Sequence, residues 1–195
     1  MSAVDLFLNA VRRGESQAVA ELLEENPALA SATDATGATA SLVALYNGHP
    51  SLAEEILERK SEPDFWESCA FGLTDRVKTA LDAEPNLVNR LSPDGFPPLG
   101  LALFFNREET AWELLHRGAP VNLKSGNSFH VAPLHSAVAK GNLPFVKELL
   151  ARGADPNIPQ KGGFRPLHGA AYAADRELTS TLIAAGADPS IPDDS

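Results

Sequence analysis

Ala132-Pro133-Leu134-His135-Ser136-Ala137 and Arg165-Pro166-Leu167-His168-Gly169-Ala170 stand 33 residues apart, and the match does not stop there. The same offset aligns Leu149-Leu150-Ala151-Arg152-Gly153-Ala154-Asp155-Pro156 with Leu182-Ile183-Ala184-Ala185-Gly186-Ala187-Asp188-Pro189, so about a full period is shared without a gap. Self-similarity at a fixed short period marks a repeat architecture. Upstream by 35 residues, Pro97-Pro98-Leu99-Gly100-Leu101-Ala102 leads into Leu114-Leu115-His116-Arg117-Gly118-Ala119-Pro120-Val121-Asn122. A degenerate copy in register runs from Gly37-Ala38-Thr39 through Gly48-His49 to Ile56-Leu57. Two further units show only a helical part, from Ala10 to Leu23 and from Cys69 to Leu81. They match each other at an offset of 58, where Asn26-Pro27-Ala28-Leu29 corresponds to Glu84-Pro85-Asn86-Leu87.

The breakers and the apolar spacing predict two short helices per unit. In the fifth unit Pro133 suits a first helical turn, where its missing N–H costs nothing, and Gly141 ends the helix in a left-handed cap. The second helix carries Phe145, Val146, Leu149 and Leu150 on one face and stops at Gly153. Ala154-Asp155-Pro156-Asn157 then turns the chain outward. A pair of helices of roughly nine residues each cannot bury its own apolar face, so the units must stack. Ala137, Ala170 and Ala171 are small enough to let helices approach closely.

Composition narrows the chemistry. The chain has 195 residues, 44% hydrophobic and 22% charged, enough for one compact core or one linear array. Its one cysteine, Cys69, excludes an internal disulfide or a cysteine-based zinc site, and five histidines scattered from 49 to 168 offer little to a metal. Cys69 falls where other units carry Val11 or Ala171, so it is expected to be buried and inert. Sixteen basic against 26 acidic residues give a net charge of −10, which repels phosphate backbones and anionic lipid. Neither nucleic acid nor membrane is an expected partner. Asp5, Asn9 and Arg12 interrupt the run a signal peptide would need, which points to a cytoplasmic location. No G-x-S-x-G or G-x-x-x-x-G-K-[ST] motif is present, and Gly162-Gly163 lacks the Lys-Ser/Thr that phosphate chemistry requires. No catalytic residue, cofactor, metal or small-molecule substrate is expected.

With its helix start of Pro-Leu-His type, mid-unit Gly-His, paired leucines in the second helix and closing Gly-Ala-Asp, the chain resembles the ankyrin repeat family over nearly its whole length. The resemblance implies an all-α ankyrin-repeat solenoid of about six helix-turn-helix repeats with short β-hairpin loops. It implies one domain over 1–195, with repeats near 1–33, 34–63, 64–91, 92–124, 125–159 and 160–195. The segment 59–64 is too short for the usual hairpin. The family's threonine before Pro-Leu-His is replaced by Ala132, Arg165 and Pro97, which predicts a less tied helix start. His135 and His168 take the family's structural histidine position, and His49 is read as structural too. The Ser92-Pro93-Asp94-Gly95-Phe96 hairpin is similar to those of stand-alone bacterial members.

The resemblance further implies protein binding along a concave groove of first helices and hairpins. The two residues before each helix-ending glycine, or its equivalent, are assigned to that side: Arg12 and Arg13, Tyr46 and Asn47, Ala70 and Phe71, Phe104 and Phe105, Ala139 and Lys140, Tyr172 and Ala173. Aromatics there are either a groove floor, since such side chains are enriched at binding hot spots, or packing between repeats. Hairpin tips Ala38, Phe96, Val131 and Phe164 are assigned to the groove mouth, and the longer loop 124–131 adds Phe129 and His130. The candidate partner-binding set is therefore Tyr46, Asn47, Phe71, Phe96, Phe104, Phe105, Phe129, Lys140, Phe164 and Tyr172. Acidic residues such as Glu21, Glu54, Glu58, Glu108 and Glu113 fall on second helices as a solvated outer face, while Arg12, Arg13, Arg107 and Lys140 make the groove side less acidic. The expected function is that of a monomeric adaptor, inhibitor or regulatory subunit. Two alternatives stay open. Asn122 and Asn157 resemble asparagine-hydroxylation sites of the family, each eight residues after a leucine, and an enzyme would need an unrecognised site.

Overall fold

The computed structural model describes residues 2–194, which fold into twelve α-helices and three short 3-10 helices. Among the described residues no strand forms, and one isolated bridge pairs Thr33 with Thr39. Two compact units divide between Glu67 and Ser68.

The N-terminal unit holds α1 (Ala3–Arg13), α2 (Ser16–Glu25), α3 (Ala40–Tyr46) and α4 (Pro50–Glu58). A capping box starts α1: the Asp5 N–H donates to Ser2 Oγ (3.1 Å) and the Ser2 N–H to Asp5 Oδ2 (2.9 Å). Phe7, Val11, Val19, Leu23, Leu42 and Ile56 fill the core. His49 Nε2 lies 3.2 Å from the Arg12 carbonyl and bridges the two helix pairs, as a structural histidine should.

Where the sequence leaves no room for a hairpin, a buried charge cluster takes over. Glu67 has no solvent exposure. Its Oε2 accepts from Lys60 Nζ (2.5 Å) and the Asp64 N–H (2.8 Å), and its Oε1 accepts from Ser41 Oγ (2.6 Å) on α3. The Glu67 N–H returns a bond to Asp64 Oδ1 (2.8 Å). One carboxylate thereby ties the 60–64 turn to the first helix of the preceding pair. Burial alone would raise the Glu67 carboxyl; Lys60, Ser41, the Asp64 N–H and Thr39 outweigh it and hold it below the usual carboxylate range. Burial pushes the Asp64 carboxyl up, with the Glu67 charge adding to that rise and the Glu67 N–H opposing it.

The division between units falls within α5 (Phe65–Phe71). The C-terminal unit continues with α6 (Thr74–Ala83), α7 (Pro98–Phe104), α8 (Glu108–His116), α9 (Pro133–Ala139), α10 (Leu143–Ala151), α11 (Pro166–Tyr172) and α12 (Arg176–Ala184). The first helices α7, α9 and α11 have seven residues each and start on a proline; the second helices α8, α10 and α12 have nine. Such lengths are unstable in isolation and persist because they pack. In α9, which lies between α7 and α11, six consecutive residues from Pro133 to Val138 are buried. Ala137 and Ala170 are fully buried, whereas Ala171 is exposed. Cys69 is buried, as its position predicts.

The β-hairpin loops expected from the resemblance are tight turns rather than ladders. The hydrogen bonds Ser92 N–H to Phe96 O (2.8 Å), Ser125 N–H to Val131 O (2.8 Å) and Gln160 N–H to Phe164 O (2.9 Å) close them. Loops also hold one another, through Gly126 N–H to Gly95 O (2.8 Å) and Lys161 N–H to Phe129 O (2.9 Å). Two of the three helix starts that lack threonine are tied through histidine instead, the Pro97 start having no side-chain cap. His135 Nδ1 accepts from the Ala132 N–H (3.2 Å) and His168 Nδ1 from the Arg165 N–H (3.0 Å). Their Nε2 atoms then donate onward to Phe164 O (3.3 Å) and Ile191 O (3.1 Å). Each nitrogen is used, which fixes the tautomer.

The ends of the first helices follow one rule, a left-handed glycine, with two exceptions. Gly48 and Gly141 follow α3 and α9 in the left-handed conformation, and Asn106 (φ 55°) and Ala174 (φ 54°) adopt it after α7 and α11 without being glycine. Ala174 pays the Cβ strain of that conformation.

Candidate functional site

Three first helices and two loops of the C-terminal unit converge on one depression. Phe104 closes α7 and is 41% exposed; Phe105 caps the same helix with its ring 5.0 Å away and edge-on at 85°. Lys140, the capping residue of α9, holds Nζ 4.5 Å over the Phe104 ring. Between Phe104, Val131, Val138, Phe164 and Pro166 lies a cavity of about 160 Å³. Gly169 of α11 keeps it open: a Cβ there would stand 3.2 Å from Val138 Cγ1 and 3.7 Å from Phe164 Cε1. The Phe164 ring itself rests 5.4 Å from His168. His135 lines the same cavity, and burial pushes its imidazole down to about 4, so at neutral pH it is an uncharged hydrogen-bonding wall.

Arg165 reaches this wall from the loop before α11. Its Nη1 donates to Gly163 O (2.7 Å) and Pro192 O (3.0 Å), while its Nε is buried without a partner among the described residues. Several outer basic residues of this unit are neutralised, with Lys78 on Asp75 and Glu109, Arg117 on Asp82 and Glu113, Arg152 on Glu148 and Lys147 on Glu177. Among the described residues no carboxylate comes within 4 Å of Lys124, Lys140, Lys161 or Arg165; the field of Arg165 is felt at a distance by Asp188. Lys140 and Arg165 thus bring uncompensated positive charge to the cavity in a chain whose net charge is −10.

Of the candidate residues, Phe104, Phe105, Lys140 and Phe164 meet around this cavity. Phe129 is 53% exposed at its loop tip, with Lys161 Nζ 5.9 Å from its ring centre, and Tyr172 at the end of α11 is 93% exposed. Phe71 and Phe96 are half-buried; the Phe96 N–H donates to Ser92 Oγ (2.8 Å) within its own turn. Tyr46 and Asn47 belong to the N-terminal unit, where Tyr46 is half-buried and the Asn47 amide donates to Val43 O (2.8 Å). Two groove assignments are corrected. Ala38 is buried because Asp34 closes the turn over it, and Ala70 is fully buried in α5. The two phenylalanines of α7 also divide the work, with Phe104 the exposed ring and Phe105 its half-buried support.

Sequence reasoning missed Gly169, Lys161 and Arg165 as parts of the site. A signal for the basic residues was present. Lys124, Lys140, Lys161 and Arg165 have no carboxylate three or four positions away, whereas Arg117 follows Glu113 and Arg152 follows Glu148 by four.

Asn122 and Asn157 have a structural occupation. Asn122 Nδ2 donates to Gly153 O (2.9 Å) and its Oδ1 accepts from the Asp155 N–H (2.8 Å). Asn157 repeats the pattern on Gly186 O (2.9 Å) and the Asp188 N–H (2.8 Å). Among the described residues no group of three or more His, Cys, Asp or Glu could hold a metal, and no helix is long and apolar enough to cross a membrane.

The family model described as ankyrin repeats (many copies) matches residues 134–183, the stretch that builds most of the cavity. An ankyrin repeat and SAM domain-containing protein of Rattus norvegicus is 32% identical over 136 residues, covering 65% of this chain and 15% of that protein. A palmitoyltransferase of Mus musculus is 31% identical over 115 residues, covering 57% and 18%. A protein of Treponema pallidum named for its ankyrin repeats is 33% identical over 97 residues, covering 45% and 32%. The chain thus spans about a third or less of the length of these relatives. Ankyrin repeats are a non-enzymatic, protein-binding fold.

Proposed function

We propose that this chain, whose residues 134–183 match ankyrin repeats, binds a protein partner through the first-helix face of its C-terminal unit, around Phe104, Lys140, Phe164 and Tyr172. The observation that carries this reading is the concurrence there of exposed aromatics, an apolar cavity and unneutralised cations, while the opposite helices are solvated and charge-paired. Phe129 and Phe96 extend the contact at the loop tips. On this reading the chain acts in the cytoplasm as a monomeric adaptor, inhibitor or regulatory subunit, without cofactor or turnover. The likeness to a palmitoyltransferase covers 18% of that enzyme, too little to carry its activity to this chain.

The test is affinity capture from lysate with the intact chain and with a Phe104→Ala/Tyr172→Ala variant confirmed folded by circular dichroism. A partner held by the intact chain and lost by the variant supports the site; each truncation should weaken binding by about 1–3 kcal/mol. A partner retained at full strength by the variant places binding elsewhere.

A further inference from the structure

The cavity beside Phe104 is specific enough to define what kind of segment enters it. At about 160 Å³ it is well below the roughly 300–1,000 Å³ of sites that enclose whole cofactors or metabolites. It is close to the about 150 Å³ that accommodates one benzene ring in an engineered apolar cavity. One leucine or phenylalanine side chain fills such a space. Its lining is mostly apolar, from Phe104, Val138, Phe164 and Pro166, with His135 and Arg165 among the polar groups. Gly169 holds the volume open, since any larger residue there would press on Val138.

Charge complementarity supplies the second half of the argument. The cavity rim carries Lys140 and Arg165, and Lys161 stands over the neighbouring Phe129, all without a carboxylate partner among the described residues. Several other basic residues of this unit are ion-paired within it, whereas these three stand at or beside the cavity with no carboxylate within 4 Å among the described residues. Carboxylates brought against such a rim are steered in and held by charge-assisted hydrogen bonds. We propose that the cavity takes one leucine- or phenylalanine-sized side chain of an extended acidic peptide segment, whose Asp or Glu residues flank that anchor and meet Lys140, Lys161 and Arg165. The inference rests on the binding face assigned above and adds the chemistry of the partner to it.

The probe is a phage-displayed library of random twelve-residue peptides, selected on the full chain and read by sequencing. The enriched peptides are then synthesised and titrated against three folded variants. Ala139→Leu plugs the cavity from an exposed position and leaves the core untouched. Lys140→Glu/Lys161→Glu reverses the rim, and Phe104→Ala/Tyr172→Ala tests the face as a whole. The proposal expects enriched peptides to share a Leu or Phe with Asp or Glu within a few positions. Affinity should fall at least tenfold with Ala139→Leu and at least tenfold with the charge reversal, the latter loss shrinking in high salt. Enrichment of basic or uncharged peptides overturns the proposal. So does an enriched acidic peptide whose affinity survives the plug. If peptides of other chemistry are enriched and lost with Phe104→Ala/Tyr172→Ala, the binding face stands and the acidic-anchor assignment falls. If no peptide is enriched, or the enriched ones ignore every variant, both fall.

Discussion

Both units tie one short helix pair to the next through a histidine, His49 in the first and His135 and His168 in the second, but the N-terminal unit adds a tie of opposite chemistry. In the N-terminal unit the missing hairpin is replaced by ionised groups: Glu67, fully buried, gathers Lys60, Ser41 and the Asp64 backbone. In the C-terminal unit the ties to backbone groups are neutral, and the ion pairs between helix pairs, Lys78–Glu109, Arg117–Asp82 and Lys147–Glu177, lie on the solvent-exposed surface. Imidazoles of His135 and His168 and carboxamides of Asn122 and Asn157 bridge successive pairs through backbone groups. Neutral ties need little desolvation and recur at each step of a stack, whereas a buried ion pair carries a large desolvation cost and is stabilising only while every partner is present. The two strategies therefore differ in how sharply they fail.

That difference is broken most severely at Glu67. Glu67→Ala leaves the Lys60 ammonium, whose side chain is 9% exposed, without its partner and should cost about 3–5 kcal/mol in urea unfolding. Lys60→Met/Glu67→Leu, which removes both charges, should cost clearly less. Equal losses would mean that the cluster acts by shape and not by charge.

Acid separates the units next. An unfolded histidine titrates near 6.5, and His135 in the fold near 4, so the unfolded chain takes up the proton first. The contribution of His135 is complete above pH 6.5 and is lost as pH falls towards 4, in all roughly 3 kcal/mol. Glu67 behaves differently, because its carboxyl is lowered: its contribution is present above the ordinary value of 4.5 and fades as pH falls through the lower folded value. Asp64, raised in the fold chiefly by burial, opposes it, because protonation relieves the cost of its buried charge and then its repulsion with Glu67. Stability measured at pH 7 and pH 4.5 should drop for the intact chain, and His135→Gln should flatten that drop. An unchanged slope in the variant would remove His135 as its source.

Smaller effects sharpen the neutral side of the comparison. Asn122→Ala gives up two bonds at an exposed site and should cost about 1 kcal/mol in the same unfolding assay. Ala174→Gly should stabilise by about 1 kcal/mol, since glycine carries no Cβ penalty at φ 54°. Tyr172→Ala should leave the unfolding free energy within about 0.5 kcal/mol, because a ring that is 93% exposed contributes little to the core.

The sequence displayed the neutral ties openly and hid the charged one. Pro133-Leu134-His135 and Pro166-Leu167-His168 recur with their Gly-Ala-Asp closures, so helix pairing, the structural histidines and the buried Cys69 were all legible. The short 59–64 segment announced that a hairpin was missing, but nothing in Phe65-Trp66-Glu67 signals that the acid is the buried residue, because a lone ion pair has no period. The hairpins read from the resemblance shrank to tight turns without strands among the described residues for a related reason, since loop length alone does not dictate a ladder. At the site, aromatic positions were legible as a set, yet neither spacing nor composition distinguishes Phe104 as exposed from Phe105 as its support. The cavity depends on Gly169, where the absence of a side chain matters through contacts with Val138 and Phe164 that lie far apart in the chain.

The most direct test of the binding face is site-specific photocross-linking with the full chain in lysate. A benzophenone side chain is placed at position 172 on α11 or, in a second sample, at position 183 on α12, where Ile183 is also exposed, at 47%. The account predicts a discrete cross-linked protein from position 172 and none from position 183, with the band suppressed by Lys140→Glu/Lys161→Glu. A cross-link from position 183 alone, or equal yields from both helices, would contradict it.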